Sequence, residues 1–210
     1  MKNSRESNPT TSIPYFAQWE SPDLVSEFIN KGRSPKSDPR WKESGAESKK
    51  EYAYWSPNIC GMACLKMILA EVSGIAYPLI VLAKQATEYG AYIPSGDEVL
   101  GLYYAPFCDF LNNELGFNAW YSSSLTLSQI DSEIRKGSFV IASVHPSIRT
   151  PESLPPSKGG HLVLITSVDR GNQQITFHNP SGLTKETQEN AVLKIEVFEK
   201  FYAGRGIVIS

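Results

Sequence analysis

Ser56-Pro57-Asn58-Ile59-Cys60-Gly61-Met62-Ala63-Cys64 is the stretch on which the reading of this chain turns. Helical periodicity starts just after Asn58. Leu65, Ile68, Leu69 and Val72 fall three and four residues apart on one side, and Gly74 supplies a stop. A helix opening at or just before Cys60 sets that thiol at the positive end of the helix dipole, beside unpaired backbone N–H groups. Both favour the thiolate and lower the pKa from its free value of about 8.5. Gly61 lets a second backbone or a substrate come close. Cys60 is therefore a candidate nucleophile. The competing reading is a small buried residue, the usual fate of a free cysteine.

A cysteine nucleophile needs a base. His161 follows Gly159-Gly160 and opens the apolar, β-branched run His161-Leu162-Val163-Leu164-Ile165-Thr166-Ser167-Val168. An imidazole at a strand mouth is held on one side and open on the other, which suits a general base. The bland alternative is a histidine that ends a loop. The next run closes with Phe177-His178-Asn179-Pro180. If 161–168 and 173–179 pair as a hairpin across the turn at 169–172, Asn179 comes beside His161, and its carbonyl can accept from one ring nitrogen and fix the tautomer. An Asn-Pro turn is the competing reading. Gln18 is the fourth candidate, since a side-chain amide can donate to an oxyanion beside the Cys60 N–H. A plain polar contact in an N-terminal arm is its default.

Outward from these segments, the first half reads as helical. A strand or extended arm is expected at 13–19 and a short helix at 23–30, capped by Ser21 or Asp23. A long surface loop is expected at 31–53, then helices at 79–89, 106–115 and 127–136, the last with Ser128 or Thr126 near its cap. Gly90, Gly116 and Gly137 mark stops. The second half reads as strands at 139–144, 161–168, 174–178, 192–195 and 206–209, with a short helix at 196–202. Helices first and strands later predict an α+β fold: a helical lobe carrying Cys60 packed on a twisted, mainly antiparallel sheet carrying His161 and Asn179. Residues 1–12 are expected to be a flexible tail before one domain over 13–210. The Pro-rich loop at 145–160 is expected to form a cleft rim.

Bulk properties narrow the function. The chain has 210 residues, of which 41% are hydrophobic and 20% charged, as in an ordinary globule. The net charge of −2 argues against nucleic acid or an anionic membrane as a partner. No apolar run is long enough to span a bilayer, and no secretory signal is visible, so a cytoplasmic location is expected, or a secreted one if a signal has been removed. Three cysteines do not make a disulfide framework. Cys64 lies one turn after Cys60, which gives at most two metal ligands, and with Cys108 it is read as core. His145 could line the cleft but reads more readily as a strand-end surface residue. His178 should face away from Asn179 because neighbours alternate along a strand.

The order of these residues resembles the papain-like cysteine peptidases. It is most similar to the bacteriocin-processing, double-glycine leader peptidase type and its stand-alone relatives. The carriers are IPYFAQ at 13–18, CGMAC at 60–64, GGHLV at 159–163 and HNP at 178–180, four short motifs in order across residues 13–182. Asn179 stands where the leader peptidases more often carry Asp, and a long polar insertion separates Gln18 from Cys60. The resemblance implies Cys60 as nucleophile, His161 as base, Asn179 as orienter and Gln18 as oxyanion donor; by their positions Gly61, Gly160 and His145 are expected near the substrate. It implies peptide or protein substrates, a thioester intermediate and no metal or organic cofactor. Two alternatives use the same residues: a transpeptidase or acyltransferase, and a non-catalytic peptide-binding module.

Overall fold

The computed structural model describes residues 13–152 and 154–210, so the expected tail at 1–12 lies outside the described residues. The chain enters as an extended arm at 13–19 with no regular element. Helix α1 spans Val25–Asn30, after a 3-10 turn at Pro22–Leu24. Neither candidate cap works as expected: Ser21 makes no capping hydrogen bond, because its hydroxyl donates instead to Asp38 Oδ1 at 2.6 Å.

The polar stretch at 31–53 corrects the expectation of a loop. It holds 3-10 turns at Pro35–Ser37 and Trp41–Ser44 and the start of helix α2, Lys49–Trp55. Ser48 caps α2 by accepting from the Glu51 N–H. The segment is fixed inward by Tyr52, whose fully buried hydroxyl donates to Asp38 and accepts from the Glu20 N–H. Two buried groups so paired give a polar sequence the anchor that its hydropathy conceals.

Helix α3 spans Cys60–Ser73 and ends at Gly74 in the left-handed region (φ +73°). It is buried on nearly all sides from Gly61 to Ala70; Val72, expected on the core side, is exposed. Helix α4 (Leu79–Glu88) precedes a hairpin, β1 (Tyr92–Ser95) and β2 (Glu98–Gly101), that the hydropathy pattern does not show. Then come α5 (Tyr104–Glu114), β3 (Ala119–Ser122) and α6 (Leu127–Arg135). Thr126 and Gln129 form a reciprocal capping box at the start of α6.

The strand half follows its pattern closely: β4 (Phe139–Val144), β5 (His161–Asp169), β6 (Gln174–His178), a short α7 (Lys185–Gln188), β7 (Ala191–Lys194), α8 (Ile195–Phe201) and β8 (Tyr202–Ile209). The main sheet runs β3-β8-β4-β5-β6-β7, antiparallel throughout. Successive side chains take opposite faces. Leu162 and Leu164 pack with α3, α4 and α5, while Val163 and Ile165 pack with α6 and α8. The site lies where the N-terminus of α3 meets the mouth of β5.

Candidate active site

Cys60 is the first residue of α3, half-buried, and it shares one cavity with His161, the first residue of β5. The cavity holds about 530 Å3. Cys64, one turn on, is fully buried, and its thiol points at the Leu162 carbonyl oxygen at 3.8 Å, so α3 sits directly on β5. Gly61 permits this contact: a Cβ there would lie 2.7 Å from Leu102 Cδ2 and 3.1 Å from Leu162 Cδ1. Gly61 is thus a packing position. Gly160 lines the cavity.

The imidazole is held from behind. Strands β5 and β6 pair with Leu164 opposite His178, which brings Asn179, just past β6, within reach of His161. His161 Nε2 lies 2.8 Å from Asn179 Oδ1. The Ser181 N–H also donates to Oδ1, at 3.1 Å, so this atom is an acceptor and Nε2 carries the ring hydrogen. That leaves Nδ1 as the basic nitrogen, and no hydrogen bond occupies it among the described residues. Nor do Cys60 and His161 hydrogen-bond each other.

Two residues absent from the sequence reading complete the surroundings. Ser181 Oγ stands 3.0 Å from His161 Nε2. Arg149, on the 3-10 turn Pro146–Arg149, donates through Nε to the Ser181 hydroxyl at 2.9 Å and to its carbonyl at 3.0 Å. Ser181 was hinted at by its place two residues past Asn179. Arg149 sits in a polar loop 12 residues from His161 and carried no signal.

These neighbours set the charges. Burial pushes His161 down from 6.5 to about 3, and the Arg149 guanidinium adds to this, against the hydrogen bond to Asn179. Burial pushes the Cys60 thiol up, against backbone N–H groups of Leu162 and Gly61 and the charge of Arg149. The expected depression of the Cys60 pKa is thus corrected: desolvation outweighs the helix terminus. Burial thus favours the uncharged form of both groups.

Gln18 is buried beside both halves of the site. Its backbone N–H donates to the Pro180 carbonyl at 2.9 Å, and its Nε2 donates to the Ser56 carbonyl at 2.9 Å, four residues ahead of Cys60. The polar insertion therefore does not separate it from the nucleophile segment, although it does not line the cavity. His145 is outside the cavity too: its Nδ1 caps the turn at Pro146–Arg149 by accepting from the Ser147 N–H. His178 turns away from Asn179 and meets the Ile13 carbonyl through Nε2 at 2.8 Å. Cys108 is core.

A helix bearing a cysteine at its start, packed on an antiparallel sheet with His at the mouth of one strand and Asn just past the end of the next, defines a papain-like α+β fold. A profile of the Peptidase_C39 like family matches residues 11–208, and the chain belongs to that family. No curated protein sequence matches it. Among solved structures, the peptidase domain of Streptococcus ComA, a bi-functional ABC transporter involved in a quorum sensing pathway, superposes with a TM-score of 0.50. Identity is 15%, over 73% of this chain and 92% of that one. A protein from Bacillus anthracis named as a C39-like peptidase gives a TM-score of 0.47 at 14% identity, over 73% and 88%. No described helix is long and apolar enough to cross a membrane.

Proposed function

We propose that this chain is a cysteine peptidase in which Cys60 attacks a peptide carbonyl, His161 moves the proton and Asn179 fixes the ring. The observation that carries this reading is the tethering of Nε2 to Asn179, which leaves the Nδ1 lone pair of a neutral imidazole in the cavity that holds the thiol. With the thiol protonated at rest, the chemistry is general-base. Nδ1 takes the thiol proton as sulfur bonds to the carbonyl carbon, then delivers it to the leaving amine as the C–N bond breaks. Water, deprotonated by the same nitrogen, attacks the thioester carbon; the C–S bond breaks, the acid leaves, and the proton returns from Nδ1 to sulfur.

The oxyanion falls to the first N–H of α3. Gln18, outside the cavity, supports that position by donating to the Ser56 carbonyl just ahead of Cys60. The test is hydrolysis of a peptide library by the wild type and by Cys60→Ala. The reading requires cleavage by the first and none by the second; equal cleavage refutes it. Adding a free amine separates hydrolysis from acyl transfer, since a transpeptidase yields the amide. Cleavage by neither protein favours the peptide-binding module, the reading favoured by the missing Cys60–His161 hydrogen bond.

A further inference from the structure

One permanently charged residue lines the cavity around Cys60 and His161, and it is positive, as is Arg149 close by. Arg205, on β8, stands in its lining together with Tyr103, Tyr104 and Tyr121, and no carboxylate lines it. Among the described residues every other arginine donates to a protein acceptor. Arg33, Arg40, Arg135 and Arg170 meet carboxylates, and Arg149 meets Ser181. The Arg205 side chain makes no ion pair and no hydrogen bond among the described residues. The residue is exposed, and its side chain passes over Gly159: a Cβ there (φ +89°) would lie 2.7 Å from Arg205 Nη2 and 3.2 Å from Ser143 Oγ. A planar fork of donors, unspent at the edge of a cleft, suits a carboxylate.

The sheet register gives the spacing. Val144 on β4 pairs with His161, and Gly206 on β8 pairs with Ala142, so Arg205 stands two strands from His161. That sets the two backbones roughly 10 Å apart at about 4.8 Å per strand, about three residues of extended peptide at 3.3 Å each, with Arg205 Nη2 lying beside Gly159, two residues ahead of His161. The exposed rings of Tyr103 and Tyr121 lie in the same cavity and offer an apolar wall.

We propose that Arg205 is a specificity-determining residue that receives a substrate carboxylate, so that the site selects peptides carrying Asp or Glu two or three residues from the cleaved bond. This rests on the peptidase reading, deepens it by naming the substrate class, and can fail separately from it.

The experiment has two arms. In the first, the full chain bearing Cys60→Ala is immobilised and a randomised octapeptide library is passed over it, with bound peptides read by mass spectrometry. The expected result is enrichment of Asp and Glu at one position. Adding Arg205→Glu should remove that enrichment by about tenfold, the loss of a charged hydrogen-bonded contact, and favour Lys and Arg there instead. Arg205→Gln should abolish the preference without inverting it, and serves if the charge reversal does not fold. Recovery of the same peptides by all three proteins, or of none enriched in acids, overturns the proposal. In the second arm the wild type is given the enriched peptides. Acid enrichment without cleavage overturns the peptidase reading alone; cleavage with no acidic preference overturns the role of Arg205 alone.

Discussion

Replacing His161 by Gln removes the one titrating ring inside the site while keeping an amide that can donate to Asn179. The change should alter how stability depends on pH, by an amount the structure sets. His161 is held at about 3 against an ordinary 6.5. Between those values the unfolded chain binds a proton that the folded chain refuses, so acid favours unfolding. Stability falls as pH drops through 6.5 and the loss stops near 3. Going from pH 7 to pH 5, this one group should cost the wild type about 2 kcal/mol relative to its own pH 7 value. His161→Gln has no such proton to take up. His178, also pushed down by burial, is common to both proteins and cancels in the difference. Urea unfolding followed by fluorescence of the buried Trp19 and Trp55 supplies the free energies. The wild type should lose about 2 kcal/mol more than the variant over that interval. Parallel curves would mean that the ring protonates normally in the folded state, which refutes the buried, neutral base.

Alkylation by iodoacetamide should modify Cys60 well before Cys64 and Cys108, which are buried, and peptide mapping identifies the site. Because the Cys60 thiol is pushed up, its rate should still be climbing at pH 9; a plateau near pH 7 would show a thiolate stabilised at rest. Gly61→Ala should destabilise the fold by about 1–3 kcal/mol in thermal or urea unfolding, since the added methyl meets Leu102 and Leu162. Lys66 on α3 pairs with Glu20 at 3.4 Å, both side chains nearly excluded from solvent. Lys66→Met alone should cost about 3–5 kcal/mol by stranding the carboxylate, and adding Glu20→Met should recover most of that.

Where hydropathy alternates with a clean period the chain disclosed its structure: β4 and β6 lie at the expected residues, and β5 differs by one. Helices α4, α5 and α6 shift by no more than two residues at an end. The meeting of His161 with Asn179 was legible because a hairpin makes it a local matter. The segment at 31–53 was not, because its order comes from Asp38, Tyr52 and Glu20 pairing across the fold, and a hydropathy pattern cannot count buried hydrogen bonds. The hairpin β1–β2 escaped for a related reason, its residues being largely exposed. Arg149 escaped because a loop of 16 residues brings it back to Ser181, and a rise in the Cys60 pKa follows from burial, which no spacing reports.

Helix α3 is enclosed on nearly every side, so the sulfur is mounted on the least yielding part of the molecule. Its backbone amides from Ala63 to Ala70 should exchange with solvent only when the whole protein opens. Any shortening of the gap between sulfur and imidazole then falls to the other bank. There, Gly159 and Gly160 follow one another in the left-handed region, a pair of joints leading directly into the strand that bears the ring.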